Sequence, residues 1–184
     1  MTEKKLEISN RILFFKYALP CAETLIKRKN LTREEFRKMI KQIAEGREPE
    51  KNKENIFKVA MAHLTFLALE RKKDKIDDEI IREYFLFNHD ETVEERFEEM
   101  GDFDSESCRT YPGIVRKIES NRASVETLLG IKPYKKDFVD DLKMQDIVVV
   151  HRDFIVEKIS KKLASKLWEL KRKQIPCLGK NIFD

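Results

Sequence analysis

The sequence predicts an α+β protein, with an N-terminal helical bundle, then a small β barrel or sandwich, then a C-terminal helix. The hydrophobic period is helical up to about residue 100 and becomes strand-like after Gly101. The chain has 184 residues, enough for two small domains. Residues 1–105 have a net charge of −2, whereas residues 106–173 have +6. We expect a helical domain of unknown function over 1–104, a barrel with its helix over 105–173 and a tail over 174–184.

Helix signals follow one another through the N-terminal half. Thr32 and Glu35 form a capping-box pattern at the start of one helix. The run from Ile56 to Leu69 is apolar nearly all round, as is typical of a central helix enclosed by others. Asp77 or Asp78 can cap a later helix. These signals predict a helical bundle.

Polar groups in this half are interpreted as structural. His63 lies on an apolar helical face, where a hydrogen-bonded core histidine is far commoner than a metal ligand. A mostly acidic cluster between residues 89 and 95 is typical of a solvated helix N-terminus, where the helix dipole favours acidic side chains. Its members are His89, Asp90, Glu91, Glu94 and Glu95.

Three short strand-like runs follow Gly101, at Ile114–Ile118, Ala123–Leu128 and Ile147–Val150. Helical spacing then returns from Ile159 to Leu170. Much of the positive charge of this half lies on that helix, and a solvated face is the simplest interpretation. The basic residues concerned are Lys161, Lys162, Lys166, Lys171, Arg172 and Lys173.

Composition and motifs exclude several classes. Charged residues reach 39%, against ~25% in an average globular chain, but apolar residues are abundant enough to exclude wholesale disorder. The pI of 8.8 is below that of a dedicated nucleic-acid binder. The longest uncharged run, Val59–Leu69, is too short for a membrane span, and the charged N-terminus does not resemble a signal peptide, so we expect a cytoplasmic protein. The five glycines cannot form a phosphate-binding loop.

Cysteine usage points to a single functional thiol. Three cysteines at unrelated spacings predict neither a disulfide framework nor a C-x-x-C zinc site. Cys21, beside Pro20, is interpreted as a buried small hydrophobe. Cys108 differs because it opens the segment Cys-Arg-Thr-Tyr-Pro-Gly before the first strand, and its cationic neighbour favours the thiolate. His151 ends the later strand Ile-Val-Val-Val-His.

These two segments together resemble the HypC/HupF family of small hydrogenase-maturation chaperones. The likeness covers about residues 106–173 and consists of a C-x-x-x-P-G leader and, at the end of the barrel, a V-x-V-H run before a helix. The residues that carry it are Cys108, Pro112, Gly113, Leu129, Gly130, Asp141, Leu142, Lys143, Asp146, Val150, His151, Phe154, Glu157 and Lys158. At two positions where the family has glycine, the chain has Gln145 and Arg152.

The resemblance implies an OB-like barrel that helps to carry an iron centre bearing cyanide and carbon monoxide. The implied partners are a HypD-like maturation protein and a hydrogenase large-subunit precursor. Cys108 and His151 would be the metal-binding residues, adjacent on one rim with the thiol accessible to solvent. The implied partner-binding residues are Cys108, Pro112, Gly113, His151 and Phe154.

The resulting hypothesis is a non-enzymatic chaperone for an iron metallocentre. The alternative is a diverged OB-like module that docks a protein or binds nucleic acid through aromatic stacking in a basic groove. A thiol enzyme using Cys108 and His151 ranks last, because the sequence identifies no orienting acid and no oxyanion site.

Overall fold

The computed structural model describes residues 6–100, 104–174 and 181–183. The chain divides into two compact units, Met1–Phe103 and Asp104–Asp184. The predicted α+β class is confirmed, since N-terminal helices precede a five-stranded mixed sheet that closes in a ring and is followed by a helix. Among the described residues, every helix is too short or too polar to span a lipid bilayer.

The N-terminal unit consists of helices and the turns between them, with an isolated parallel β-bridge between Ile8 and Ile76. Short 3₁₀ turns at Leu19–Cys21 and Lys53–Ile56 separate some of the helices, and a π-helical segment at Tyr84–Asn88 connects the last two. The α-helices are α1 (Arg11–Ala18), α2 (Ala22–Lys27), α3 (Arg33–Ala44), α4 (Lys58–Glu70), α5 (Asp78–Glu83) and α6 (His89–Met100).

Helix starts in this unit are set by side-chain caps. The predicted capping box is confirmed, because the Glu35 amide donates to the Thr32 hydroxyl at 3.1 Å and the Thr32 amide donates to the Glu35 carboxylate at 3.0 Å. Asp77, one of the two predicted caps, accepts from the Ile80 amide. Such caps satisfy amide groups that the first helical turn leaves without partners.

Aromatic side chains form the centre of this unit's core. The Phe14 ring lies 5.1 Å from Phe15, 5.9 Å from Phe57 and 6.4 Å from Phe85, mostly in edge-to-face geometry. Tyr17 stacks on Phe85 at 5.1 Å. Because aromatic pairs bury large apolar areas, this cluster joins α1 to the later helices.

The expectation that α4 is enclosed is wrong. Met61, Leu64 and Leu67 are buried, but Phe66 is 69% exposed and His63 is exposed. The helix is apolar on both sides and is covered on only one, so uniform hydrophobicity over-predicted its burial.

The interpretation of the acidic segment as a solvated helix N-terminus is also wrong. Helical backbone runs from α5 through the π-helical segment into α6, so His89 follows a helix rather than starting one. His89 and Asp90 are buried, whereas Glu91 and Glu95 are exposed. The predicted stop at Gly101 lies outside the described residues.

The sheet of the C-terminal unit contains two strands that the periodicity did not identify. In the ring, the strand order is β1-β2-β3-β5-β4, and β4 pairs again with β1. Neighbouring strands are antiparallel except β3 and β5, which are parallel. The strands are β1 (Thr110–Ile118), β2 (Arg122–Thr127), β3 (Gly130–Lys135), β4 (Ile147–His151) and β5 (Phe154–Lys158).

A single parallel contact closes the ring. Lys135 is opposite Phe154, and the Lys135 amide donates to the Asp153 carbonyl at 2.7 Å. Phe154 stacks on Phe138 with ring centroids 5.0 Å apart, and the Lys135 ammonium lies 4.9 Å from the Phe154 ring. The junction between β3 and β5 therefore has few hydrogen bonds and is stabilised by aromatic contacts.

Helix α7 (Lys161–Gln174) packs on the sheet through Ala164, Leu167 and Trp168. The Trp168 ring meets Phe183 edge to face at 5.6 Å, and Asn181 donates to the Ser165 hydroxyl. Residues 181–183 were expected to belong to a tail, but Phe183 is buried in the same core cluster as Trp168.

Candidate functional site

The structure brings Cys108 and His151 together at one end of β1 and β4. Antiparallel pairing places His151 opposite Thr110, two residues after Cys108. The His151 Nε2 atom lies 2.9 Å from the Cys108 carbonyl oxygen. The Cys108 sulfur and a ring nitrogen of His151 are within 4.8 Å of each other. The proximity expected from the sequence is thus present.

The hydrogen bond between His151 and the Cys108 carbonyl determines the tautomer of the imidazole. A carbonyl oxygen can only accept, so Nε2 carries the hydrogen and donates it to Cys108. In a neutral ring the lone pair is then on Nδ1, which is the nitrogen able to bind a metal ion. A backbone carbonyl acting in this way is a common means of orienting a metal-binding histidine.

The expectation that the thiol is accessible is wrong. Cys108 is 5% exposed and His151 is fully buried. Cys108 lies in the turn before β1, where its amide donates to the Ser105 carbonyl at 3.2 Å and the Tyr111 hydroxyl donates to the Glu106 carbonyl at 3.1 Å. The Asp104 carboxylate also accepts from the Glu106 and Ser107 amides, so a ligand can reach the sulfur only if this turn opens locally.

Cationic groups lie close to the pair. The Arg152 guanidinium contacts the Cys108 sulfur at 3.9 Å, and the Lys171 ammonium is 3.4 Å from the Thr110 hydroxyl. Nearby cations stabilise a thiolate relative to a thiol, and the thiolate is the form that binds metals. Arg152 therefore places a positive charge, the favourable sign, next to the Cys108 sulfur.

Lys171 is a site residue that the sequence reasoning missed. It was assigned to a solvated face of α7, but it is only 1% exposed. The spacing could have revealed this, since Ala164, Leu167, Trp168 and Lys171 occupy positions i, i+3, i+4 and i+7 of one helical face. A lysine in register with three apolar positions points into the core.

The other residues of the predicted partner surface are buried as well. Pro112 and Gly113 lie inside β1, and Phe154 is enclosed at the junction between β3 and β5. A Cβ atom on Gly113 would lie 2.5 Å from Val125 Cγ1 and 2.7 Å from the Glu126 carbonyl oxygen. Glycine is thus needed there because a Cβ atom would collide with the paired strand β2.

Two turns of this unit have left-handed backbone at residues other than glycine. Gln145 has φ of +68° and Arg152 has φ of +50°. Such angles are unfavourable for side chains larger than hydrogen. Both are positions where the resemblance to HypC/HupF leads one to expect glycine.

Cys21 lies in the N-terminal unit and is partly exposed rather than buried as expected. Its sulfur is 3.8 Å from His89 Nε2, and its carbonyl accepts from the Thr24 hydroxyl. The third cysteine, Cys177, lies outside the described residues.

Thiolate and imidazole are a ligand pair suited to iron and other transition metals. Iron is therefore compatible with the chemistry of Cys108 and His151. Comparison of the chain with models of known protein families and with curated proteins gives no match.

Proposed function

We propose that the protein is a non-catalytic, HypC-like chaperone that carries an iron fragment to a metalloenzyme precursor. The observation that carries this proposal is the meeting of Cys108 and His151, at 2.9 Å from ring nitrogen to carbonyl, at one end of β1 and β4. In the proposal, the sulfur and Nδ1 are the two ligands that the C-terminal unit offers.

The topology supports this proposal. A five-stranded ring in the order β1-β2-β3-β5-β4 with one parallel closure is compatible with an OB-like barrel. The backbone at Gln145 and Arg152 adds support, because both residues have the positive φ that glycine would adopt at the corresponding family positions. Backbone conformation can persist where the side chain has changed.

Two ligands suit a carrier better than a permanent site. Structural metal sites are usually closed by four protein ligands. Two ligands from the C-terminal unit leave positions for small ligands already on the iron, such as cyanide and carbon monoxide, and for a recipient. In the proposal, the iron fragment binds when the turn at residues 105–109 is open, since Cys108 is only 5% exposed when that turn is closed.

Nucleic-acid binding receives less support. That alternative depends on exposed aromatic rings for base stacking. Within residues 104–174 and 181–183, every aromatic side chain is at most 4% exposed. The rings concerned are Tyr111, Tyr134, Phe138, Phe154, Trp168 and Phe183.

The test is anaerobic affinity purification from the native cell, followed by iron analysis and infrared detection of cyanide and carbon monoxide bands. We expect these bands with the wild-type protein and their loss in Cys108→Ser and His151→Gln, which nearly preserve side-chain volume. Thr127→Ala is the control, because it removes another buried polar group from the same sheet, where the hydroxyl accepts from the Leu129 amide.

If Cys108 and His151 only stabilise the fold, a different result is expected. Both site variants would then lower the melting temperature, as the control does, and would retain as much iron as the wild type. That outcome, or recovery of nucleic acid without iron, would refute the proposal. Thermal unfolding of the same preparations separates loss of the site from loss of the fold.

A further inference from the structure

The N-terminal unit has an open groove where α4 faces the π-helical segment and α6. The groove encloses about 150 Å³. A cavity of ~150 Å³ is large enough for benzene, so this one can take a single side chain. His63 and Phe66 line it from α4, and Tyr84 lines it from the π-helical segment.

The groove has an aromatic wall. The His63 ring stacks on Tyr84 with centroids 5.6 Å apart and an angle of 19° between the rings. Phe66, 69% exposed, stands at the groove, and Leu69, 55% exposed, follows on the same helix. Aromatic faces attract cations as well as apolar groups.

Acidic side chains contribute to the lining. Glu70 comes from α4, and Glu91 and Glu95 come from successive turns of α6. Glu91 and Glu95 are four residues apart, a spacing at which like charges repel on a helix. Glu70 has Arg71 at 3.5 Å, whereas Glu91 and Glu95 form no ion pair with any described residue.

A π-helical turn gives the groove part of its lining. Tyr84 and Asn88, the two ends of that turn, both line the cavity. Single π-helical turns are rare and occur frequently at functional sites. The unusual backbone, the exposed aromatic ring and the unbalanced negative charge therefore coincide in one place.

We propose that this groove docks a basic amphipathic segment of a partner protein. An apolar residue of the segment packs on Phe66 and Leu69, and one lysine or arginine side chain enters the cavity. Its aliphatic stem lies along the aromatic wall and its cationic head pairs with Glu91 and Glu95. Charge complementarity selects this occupant, because an acidic or purely apolar segment would leave both carboxylates without a counter-ion.

The test measures binding of a synthetic amphipathic peptide of leucine and lysine by calorimetry, with a leucine–glutamate peptide of the same pattern as its counterpart. We expect the basic peptide to bind and the acidic one not to bind. Phe66→Ser should weaken binding about tenfold, as is typical of an interface anchor. Glu91→Gln combined with Glu95→Gln should also weaken binding about tenfold and should reduce the dependence of the affinity on salt concentration.

The matched control is Glu34→Gln combined with Glu98→Gln. It removes two exposed charges of the same unit that do not line the groove, so affinity should change less than about twofold. Phe66 is mostly exposed, so its replacement leaves the fold intact.

Four results would overturn the proposal. Absence of binding, or equal weakening in the control, would show that the groove has no part in recognition. Displacement of the peptide by butylammonium at equal concentration would identify a small-molecule site instead. Self-association of the wild type that Phe66→Ser abolishes, measured by light scattering, would identify a second copy of the chain as the occupant.

Discussion

The thiol–imidazole pair of the C-terminal unit and the groove of the N-terminal unit are built in opposite ways. Cys108 lies in the turn before β1 and His151 ends β4, so the register of these two strands brings them together, and both are at most 5% exposed. The groove is formed by helices that leave Phe66 69% exposed. Strand pairing thus positions a small site with little tolerance, whereas helix packing leaves an open surface.

This difference predicts that changes at the ring are costly and that changes at exposed helix positions are mild. A helix can shift slightly to accept a new side chain, but adjacent strands are held at a fixed spacing by hydrogen bonds. The comparison can be tested by substitutions within each unit.

The largest effect is expected for Gly113→Ala, which should lower the free energy of unfolding of the C-terminal unit by about 3 kcal/mol. The new methyl group would meet the Glu126 carbonyl oxygen at 2.7 Å, and the backbone of β2 cannot yield cheaply. Urea unfolding measures the change. Gly130→Ala is the control, since Gly130 has φ of +86° but no atom within 4 Å, so only backbone strain of about 1 kcal/mol applies. Equal losses in the two variants would contradict the account of ring closure.

The second prediction concerns thiol accessibility in the native protein. Cys21 is partly exposed and Cys108 is buried, so alkylation should label Cys21 about tenfold faster or more. Peptide-resolved mass spectrometry measures both rates in one sample, and the unfolded protein supplies the reference rates. Faster labelling of Cys108 would mean that the turn before β1 is open at rest.

The third prediction is a pH dependence in the N-terminal unit. Lys53, followed by the Thr32 backbone and hydroxyl groups, lowers the pKa of Glu35 from 4.5 to about 2. A lowered carboxyl pKa stabilises the fold above the ordinary value, and this stability is lost as pH falls from about 4.5 towards 2. Because the Glu35 side chain is 42% exposed, we expect less than about 1 kcal/mol.

Glu35→Gln isolates this effect, because glutamine also completes a capping box but does not titrate. The variant should lack the part of the acid destabilisation that falls between these pH values. Glu34→Gln, at the adjacent exposed position, should leave it in place. Identical acid unfolding curves for wild type and Glu35→Gln would refute the assignment.

The smallest effect is expected for Gln145→Gly. Glycine relieves the left-handed strain at φ of +68°, but it gives the unfolded chain more freedom and removes an exposed side chain that accepts from Arg116 at 2.8 Å, so a net gain of less than about 0.5 kcal/mol remains. Met144→Gly, at the neighbouring exposed position without positive φ, should instead lose a similar amount. A loss in both variants, measured by thermal unfolding, would show that strain at Gln145 is negligible.

Sequence patterns predicted the local elements well where a local rule applies. The capping box at Thr32 and the cap at Asp77 depend on residues within one turn of each other, and both are present. Strands β2 and β4 were also found near their observed bounds, whereas β1 begins at Thr110, four residues before its predicted start at Ile114. Strand β3 was missed because it is mostly exposed and contains Pro133, which is unfavourable in strands.

The candidate site was predicted only in part, for a related reason. Cys108 and His151 could be identified from the sequence because one precedes a predicted strand and the other ends a predicted strand. Their burial depends on the turn before β1, and the neighbouring charge depends on Lys171, a residue 20 positions after His151. The groove was not predicted because α4 is apolar nearly all round, so its hydrophobic pattern does not indicate which side remains exposed.

The contact between Trp168 and Phe183 has a further consequence for spectroscopy. The chain contains a single tryptophan, and it is 3% exposed in the core of the C-terminal unit. Its fluorescence should therefore be blue-shifted in the folded protein and should shift to the red only when that unit opens, while helical circular dichroism is dominated by the N-terminal unit. Two optical signals can thus follow the two units separately in a single unmodified sample.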